Sequence, residues 1–314
     1  MKACLCCYRP LPADAVDMHP SCAKKMFGVD TSVQLPFAED DLTQLASAVI
    51  RNHSVVTGVQ PKLSLHIPRS TDAVVQQRFT IVGVWGDFII KPPSERYPEL
   101  PQIEDVTMHM AQRSAIATVP HCLIRMASGN LAYITARVDR TDRGKLAMED
   151  MCQLTGRMTE HKYQGSYEQV ASAIRRYSAA PGLDIVNFYE VILFALLTGN
   201  ADMHLKNFSL LETPGVGMTL SPAYDLVNTA LVNPADDEEL ALALHGKRKN
   251  ITRRDIEAAM TTSQLQKPQI TRIFSKLQRS IPAWLDMLDV SFLKASTKNA
   301  YKHLITSRAA NLGM

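Results

Sequence analysis

The segment Gly199–Asn207 reads GNADMHLKN and gathers acid, amide, imidazole and amine groups directly after an apolar run, residues 191–197. Asp202 and Asn207 stand on either side of His204 and Lys206. A second acid, Asp225, ends the stretch Ser221-Pro222-Ala223-Tyr224-Asp225, which follows a strand-like piece. An Asp and an Asn on one loop, with an Asp on the next, is the set that phosphoryl transfer of the protein-kinase kind requires. One Asp orients the attacking hydroxyl, and the Asn and second Asp hold Mg2+ on the nucleotide phosphates. The plain alternative is a polar helix C-terminus capped by Asn200, because Asp and Asn are common loop residues.

Such a site needs three further parts upstream: a turn that covers phosphates, a lysine on a strand and a glutamate on a helix. Residues 54–62, SVVTGVQPK, offer the turn around Thr57 and Gly58, although with a single glycine. Residues 87–91, DFIIK, read as an apolar strand ending in Lys91 before Pro92-Pro93, placed to reach α- and β-phosphates. Glu104 follows Leu100-Pro101 near the start of a helix and is suitably placed to pair with Lys91. Each part has an ordinary explanation: a solvated strand-end lysine, or a first-turn glutamate favoured by the helix dipole. The correct order of five such elements makes chance a poor account.

A second constellation lies at the start of the chain. Cys4, Cys7, His19 and Cys22 are spaced C-x2-C-x11-H-x2-C. Thiolates and an imidazole at such spacings can close a tetrahedral Zn2+ site, with His19 and Cys22 one helical turn apart. Four protein ligands leave no open position, so the role expected is structural. The alternative is reduced thiols in a short turn, with an exposed histidine. Cys122 and Cys152 lie in apolar stretches and read as core.

The elements that must position these groups fall into two sets. Residues 41–52 read as a short helix, with Asp41 as N-cap. Strand-like runs follow at 62–67, 78–84 and 87–91, then a helix at about 103–114. Two more runs, 121–126 and 131–137, are joined by Ser128-Gly129-Asn130, a hairpin signal. Beyond about Met148 the pattern turns helical, at 167–177, 184–198, 253–260, 267–278 and 290–312, with Pro268 suited to a first turn. Two short strand-like pieces, 207–211 and 218–221, interrupt it. Strands around one helix and then a helical half make an α+β, bilobal layout. The expected division is a Cys/His head with a helix at 1–53, a strand-rich N-lobe at 54–140 and a helical C-lobe at 141–314.

Composition narrows the function classes. Net charge is +3 without a long like-charge run, which argues against direct nucleic-acid binding. No apolar stretch reaches the ~20 residues of a membrane span. The start, MKACLCCYRPLPAD, lacks the apolar core of a secretory signal, so a cytoplasmic protein is expected and a disulfide framework is not.

The pieces TGVQPKLSL, FIIKPPS, LPQIEDVTMHMA, ARVDR, MEDMCQLTG, GNADMHLKNFSL and SPAYDLV stand in order over residues 57–227. Together they resemble the HipA-like family of bacterial serine/threonine kinases. The resemblance implies a protein-kinase-like fold, ATP and Mg2+, with Asp202 as catalytic acid/base, Asn207 and Asp225 as metal ligands, and Lys91 as the phosphate-contacting lysine. Glu104, Thr57, Gly58 and His204 would line the nucleotide side. Backbone groups of residues 136–138, Ala136 and Val138 among them, would form the hinge over adenine. Ala136 stands where many relatives carry an acid. The short stretch before Ser54 looks like the HipT branch, the kinase toxin of three-gene toxin–antitoxin systems. There a small separate protein supplies an N-terminal subdomain beside a helix-turn-helix DNA-binding partner. The family's substrates are aminoacyl-tRNA synthetases, of tryptophanyl or glutamyl type. The family also implies autophosphorylation of the phosphate loop, here at Ser54 or Thr57. Two other classes stay open: a small-molecule kinase on the same scaffold, and a non-catalytic kinase-like regulator. The former lacks the GVQPK-type loop, and the presence of Lys91, Asp202, Asn207 and Asp225 argues against the latter.

Overall fold

The computed structural model describes residues 2–29, 33, 35–42, 63–66, 80–81, 86–142 and 144–314. The chain clusters into two units. Unit 1 comprises Met1–Asp105 and Val119–Arg140, and unit 2 comprises Val106–Thr118 and Thr141–Met314.

Unit 1 is built on an antiparallel sheet. Its strands are β1 (Leu63–His66), β2 (Thr80–Ile81), β3 (Phe88–Lys91), β4 (His121–Arg125) and β5 (Leu131–Ala136). They lie in the order β2-β1-β3-β5-β4. Gly129, at φ 89°, turns β4 into β5, and the register sets Cys122 opposite Ile134 and Leu123 opposite Tyr133. β3 pairs with β5 so that Lys91 faces Tyr133. Ile90, Cys122, Leu123, Ala132, Tyr133 and Ile134 are fully buried. Helix α1 (Pro20–Phe27) starts with His19 as N-cap residue and Pro20 at the first position, and ends on Gly28 in the left-handed region. It lays Phe27 against Phe88, ring centres 5.5 Å apart. Helical residues begin at 39, and the Asp41 carboxylate accepts from the Ala38 N–H, so Asp41 serves from the first turn rather than as the N-cap. The rest of the helix expected to 52 lies outside the described residues. Helix α2 (Leu100–Arg113) belongs to unit 1 up to Asp105 and to unit 2 from Val106.

Unit 2 is mainly helical. After β6 (Met148–Asp150) come α3 (Met151–Leu154), α4 (Tyr167–Tyr177) and α5 (Pro181–Thr198), then the hairpin β7 (Ser209–Thr213) and β8 (Gly217–Leu220). The short α6 (Thr229–Val232) precedes α7 (Arg253–Thr262), α8 (Lys267–Val290) and α9 (Ala295–Asn311). The 18 residues of α5 are long and apolar enough for a membrane span, yet 72% of them are buried as the core of this unit. Phe194 meets Trp284 of α8 edge to face, and the Trp284 indole N–H donates to Ser114 Oγ at 2.8 Å.

Two expectations need correction. The helix expected to stop at 278 runs on to Val290 through Pro282, and the next begins at Ala295 rather than 290. Proline removes one helical hydrogen bond. The burial of Trp284, Met287 and Leu288 beyond it carries the helix across that loss. Residues 148–150 are a strand rather than part of a helical run, because they pair with β7 across a long stretch of sequence.

Candidate active site

In unit 1, Lys91 closes β3 and is only 4% exposed. Its Nζ donates to Glu104 Oε1 of α2 at 2.5 Å, with the ammonium 5.5 Å from the Tyr133 ring centre. A buried ammonium is tolerable only beside a counter-charge, and Glu104, 2% exposed, supplies it. At the end of β5 the Ala136 N–H donates to Pro120 O and the Arg137 N–H to Asp87 O. Asp139, buried, accepts from Arg140 Nη1 at 2.6 Å and Arg137 Nη2 at 3.3 Å. These contacts set the course of 136–138. Ser54, Thr57 and Gly58 lie outside the described residues.

In unit 2, the polar loop begins where α5 ends. Gly199 caps that helix at φ 79°. A Cβ there would sit 2.8 Å from Asn228 Oδ1, so the turn demands glycine twice over. The Asn200 side chain then accepts from the Asp202 N–H at 3.0 Å. The Asp202 carbonyl accepts from the His204 N–H and from Asn207 Nδ2, both at 2.8 Å. With its nitrogen committed, the Asn207 amide has its oxygen left to meet a cation. The Asp202 carboxylate accepts from Tyr163 O–H at 2.8 Å. Lys206 Nζ binds Asp150 Oδ2 at 2.6 Å, and Tyr224 O–H donates to Lys206 O. Asp225 follows at φ 60°, a left-handed conformation that Asp adopts more readily than most residues.

The charges of Asp202 and Asp225 both reach Tyr163 and His204. Burial, then the Asp202 carboxylate, pushes the Tyr163 phenol up, so it is a firm donor. Burial pushes the His204 imidazole below its usual range, which keeps it neutral. Its ring lies edge-on to Tyr163, centres 5.1 Å apart, and its Nδ1 is buried with no hydrogen-bond partner. An amide oxygen and a carboxylate, both hard oxygen donors, suit Mg2+ rather than a softer metal. A further metal-capable set lies in the head cluster, where Cys4, Cys7, His19 and Cys22 bring one ligand atom each within 4.8 Å of one another.

Sequence reading missed Tyr163 and the Asp150 partner of Lys206. Tyr163 sits in an aperiodic stretch that offers no signal. Asp150 does offer one, a capping box with Gln153 that opens α3.

The family model for the HipA-like C-terminal domain matches residues 54–285. The chain belongs to this family. Y4dM of Sinorhizobium fredii is 32% identical over 161 residues, 47% of this chain and 38% of Y4dM. The serine/threonine-protein kinase toxin HipA of Shewanella oneidensis is 28% identical over 212 residues, 60% of this chain and 46% of HipA. The chain thus spans about half the length of the curated relatives it matches. A solved structure of the Shewanella oneidensis HipA, in complex with HipB and operator DNA, matches with TM-score 0.70 at 22% identity, over 85% of this chain and 70% of that one. The Helicobacter pylori proinflammatory kinase CtkA matches with TM-score 0.55 at 12% identity, over 80% and 93%. The HipA-like chain therefore has the α+β fold of these kinases.

Proposed function

We propose that this chain is an ATP- and Mg2+-dependent serine/threonine protein kinase, the toxin of a bacterial toxin–antitoxin system acting in the cytoplasm. The observation that carries the reading is the Asp202 loop, where one backbone turn fixes a carboxylate for a hydroxyl and an amide oxygen for a cation. Family membership and the buried Lys91–Glu104 pair support it. Residues 54–140 would serve as the nucleotide lobe, 141–314 as the catalytic lobe and 1–53 as an accessory head.

In this reading Lys91, held by Glu104, neutralises charge on the α- and β-phosphates, and Val138 meets adenine through its backbone. Asn207 and Asp225 would hold Mg2+, which when bound would supply neutralising charge to the phosphates. Asp202 orients the substrate hydroxyl and takes its proton. The hydroxyl oxygen forms a bond to the γ-phosphorus as the bond to the bridging oxygen breaks and ADP leaves. Tyr163 holds the Asp202 carboxylate in place.

The finer parts of the proposal are a HipT-type toxin, an aminoacyl-tRNA synthetase of tryptophanyl or glutamyl type as substrate, and control by autophosphorylation at Ser54 or Thr57. A small N-subdomain-like antitoxin and a helix-turn-helix DNA-binding protein would be its partners. The name of the Shewanella relative supports a toxin kinase, and the complex of its solved structure with HipB and operator DNA supports an antitoxin partner that binds DNA.

The test is phosphate transfer from labelled ATP with Mg2+ to a panel of synthetases and small-molecule acceptors, with mass spectrometry of the kinase itself. Wild type should label a synthetase and its own Ser54 or Thr57. Asp202→Ala should fold normally and lose about 10²–10⁴-fold in rate, the usual contribution of such a group. Near-normal labelling by Asp202→Ala would overturn the role of Asp202. Transfer only to small molecules would favour the small-molecule kinase, and no transfer at all a regulator.

A further inference from the structure

The head cluster lies outside the residues that match the family model, and nothing in the proposed phosphoryl transfer uses it. Its four side chains bring one ligand atom each within 4.8 Å of one another. Cys4 and Cys7 stand on a tight turn whose ends are bridged, Ala3 against Pro10, with the Cys4 N–H donating to Arg9 O. Tyr8, directly after Cys7, takes the left-handed conformation, φ 62°, that closes the turn. The other two groups come from the start of α1: His19 is its N-cap residue, and Cys22 lies in its first turn.

The imidazole decides what the cluster is for. His19 Nε2 lies 3.0 Å from Pro10 O. A carbonyl only accepts, so Nε2 carries the hydrogen and Nδ1 presents its lone pair. Nδ1 lies 3.5 Å from Cys7 Sγ and 4.0 Å from Cys22 Sγ. With Zn–S about 2.3 Å and Zn–N about 2.0 Å, the edges of a tetrahedral site are about 3.5–3.8 Å. A ligating histidine whose other nitrogen donates to a backbone carbonyl is the usual outer-shell arrangement of zinc proteins. Cys4 is fully buried and Cys22 nearly so, so a metal here would be closed off from substrate.

The same turn reaches the helix that carries Glu104. Tyr8 O–H donates to Asp105 Oδ2 at 2.6 Å, and Asp105 Oδ1 meets His121 Nδ1 at 2.9 Å. Asp105 follows Glu104, the partner of Lys91. Leu5 O also accepts from the Leu123 N–H on β4. We propose that Cys4, Cys7, His19 and Cys22 hold one structural Zn2+, and that this metal fixes the turn that presents Tyr8 to Asp105, thereby bracing the first turns of α2 behind the Lys91–Glu104 pair. The metal site and its brace do not depend on the kinase reading, and the tests below use no activity.

The full chain purified without chelator should contain about one zinc per molecule, the count for a closed four-ligand site. Its cobalt-exchanged form should show the visible absorption of tetrahedral thiolate coordination. Cys22→Ser should lose the bound metal. Removing zinc from wild type with a strong chelator should speed amide hydrogen exchange at 100–105 and 121–123, while exchange in α8 stays unchanged. Tyr8→Phe guards against simple unfolding: it should keep the zinc yet speed exchange at 100–105. Metal-free protein as purified, a disulfide among these cysteines, or zinc retained by Cys22→Ser would overturn the site. Exchange at 100–105 unmoved both by zinc removal and by Tyr8→Phe would overturn the brace.

Discussion

The hydroxyl of Tyr163 donates to Oδ1 of Asp202 at 2.8 Å, and the same ring stands edge-on to His204, the second residue after Asp202. The contact joins two stretches far apart in sequence. It fixes the rotamer of a carboxylate whose backbone is already fixed by Asn200, His204 and Asn207.

Tyr163→Phe removes this hydrogen bond and little else. Bonds to charged groups contribute about 1.5–3 kcal/mol, and Tyr163 is 42% exposed, which places this one at the lower end. We expect kcat to fall about tenfold, at 1.36 kcal/mol per decade, with KM for ATP unchanged. Steady-state kinetics check this, and a rise in KM alone would assign Tyr163 to nucleotide binding.

The Lys91–Glu104 pair allows a sharper separation of stability from function. Glu104→Ala removes the carboxylate beside a buried ammonium and should cost about 3 kcal/mol of unfolding free energy, the low end for a broken buried pair. Replacing both partners, Lys91→Met with Glu104→Leu, should recover most of that loss, because apolar groups of similar size often pack as well as a buried pair. Nucleotide binding should stay lost in the double variant. Urea unfolding and binding of a fluorescent ATP analogue, measured on the same preparations, test both halves. Nucleotide bound normally by the double variant would remove Lys91 from the phosphate site.

Local pattern carried much of the fold. The hairpin at Ser128-Gly129-Asn130, helix 167–177 and the apolar α5 are all visible as periodicity and turn chemistry over short windows. Strand β6 was not, because its three residues are a strand only by pairing with β7. The continuation of α8 past Pro282 is likewise a tertiary effect, resting on what Trp284 and Leu288 pack into. In the candidate site the chemical groups could be read by type: Asp202, Asn207, Asp225, Lys91 and Glu104. The pairing of Glu104 with Lys91 could be read as well, but the more distant partners could not. Tyr163, Asp150, Tyr8 and Asp105 meet their targets across 39 to 97 positions, and no local signal encodes such distances.

His121 makes a pH-dependent contribution to unit 1. Burial, aided by Lys25, holds its folded pKa at about 3, so the imidazole stays neutral beside Asp105. The unfolded value is about 6.5. The folded pKa is therefore depressed: the contribution is complete above pH ~6.5 and is lost progressively as pH falls from there toward 3, where the unfolded chain binds the extra proton. Between pH 7 and 5.5 this amounts to about 1 kcal/mol. Chemical unfolding at the two pH values should show wild type losing about that much more than His121→Gln. Equal losses would mean that His121 is already charged in the fold.

Asp225 is the residue proposed to hold Mg2+ beside Asn207, and its backbone conformation makes the choice of variant matter. Its φ of 60° lies in the left-handed region, where alanine is strained by about 1–2 kcal/mol. Asp225→Ala would therefore mix a backbone effect with loss of a ligand. Asparagine adopts this conformation about as readily as aspartate, so Asp225→Asn should keep the thermal midpoint of wild type while replacing a charged oxygen ligand with a neutral one. Mg2+ favours hard anionic oxygen, and even an outer-shell change typically costs about 10–100-fold in metal affinity. The Mg2+ concentration for half-maximal phosphate transfer at saturating ATP should rise by at least that range in Asp225→Asn. Excess Mg2+ should restore much of the rate, because Asp202 and its Tyr163 contact are untouched. If Asp225→Asn followed the wild-type Mg2+ curve, Asp225 would not be a metal ligand, and its left-handed backbone would serve only to turn the chain toward Asn228 and α6.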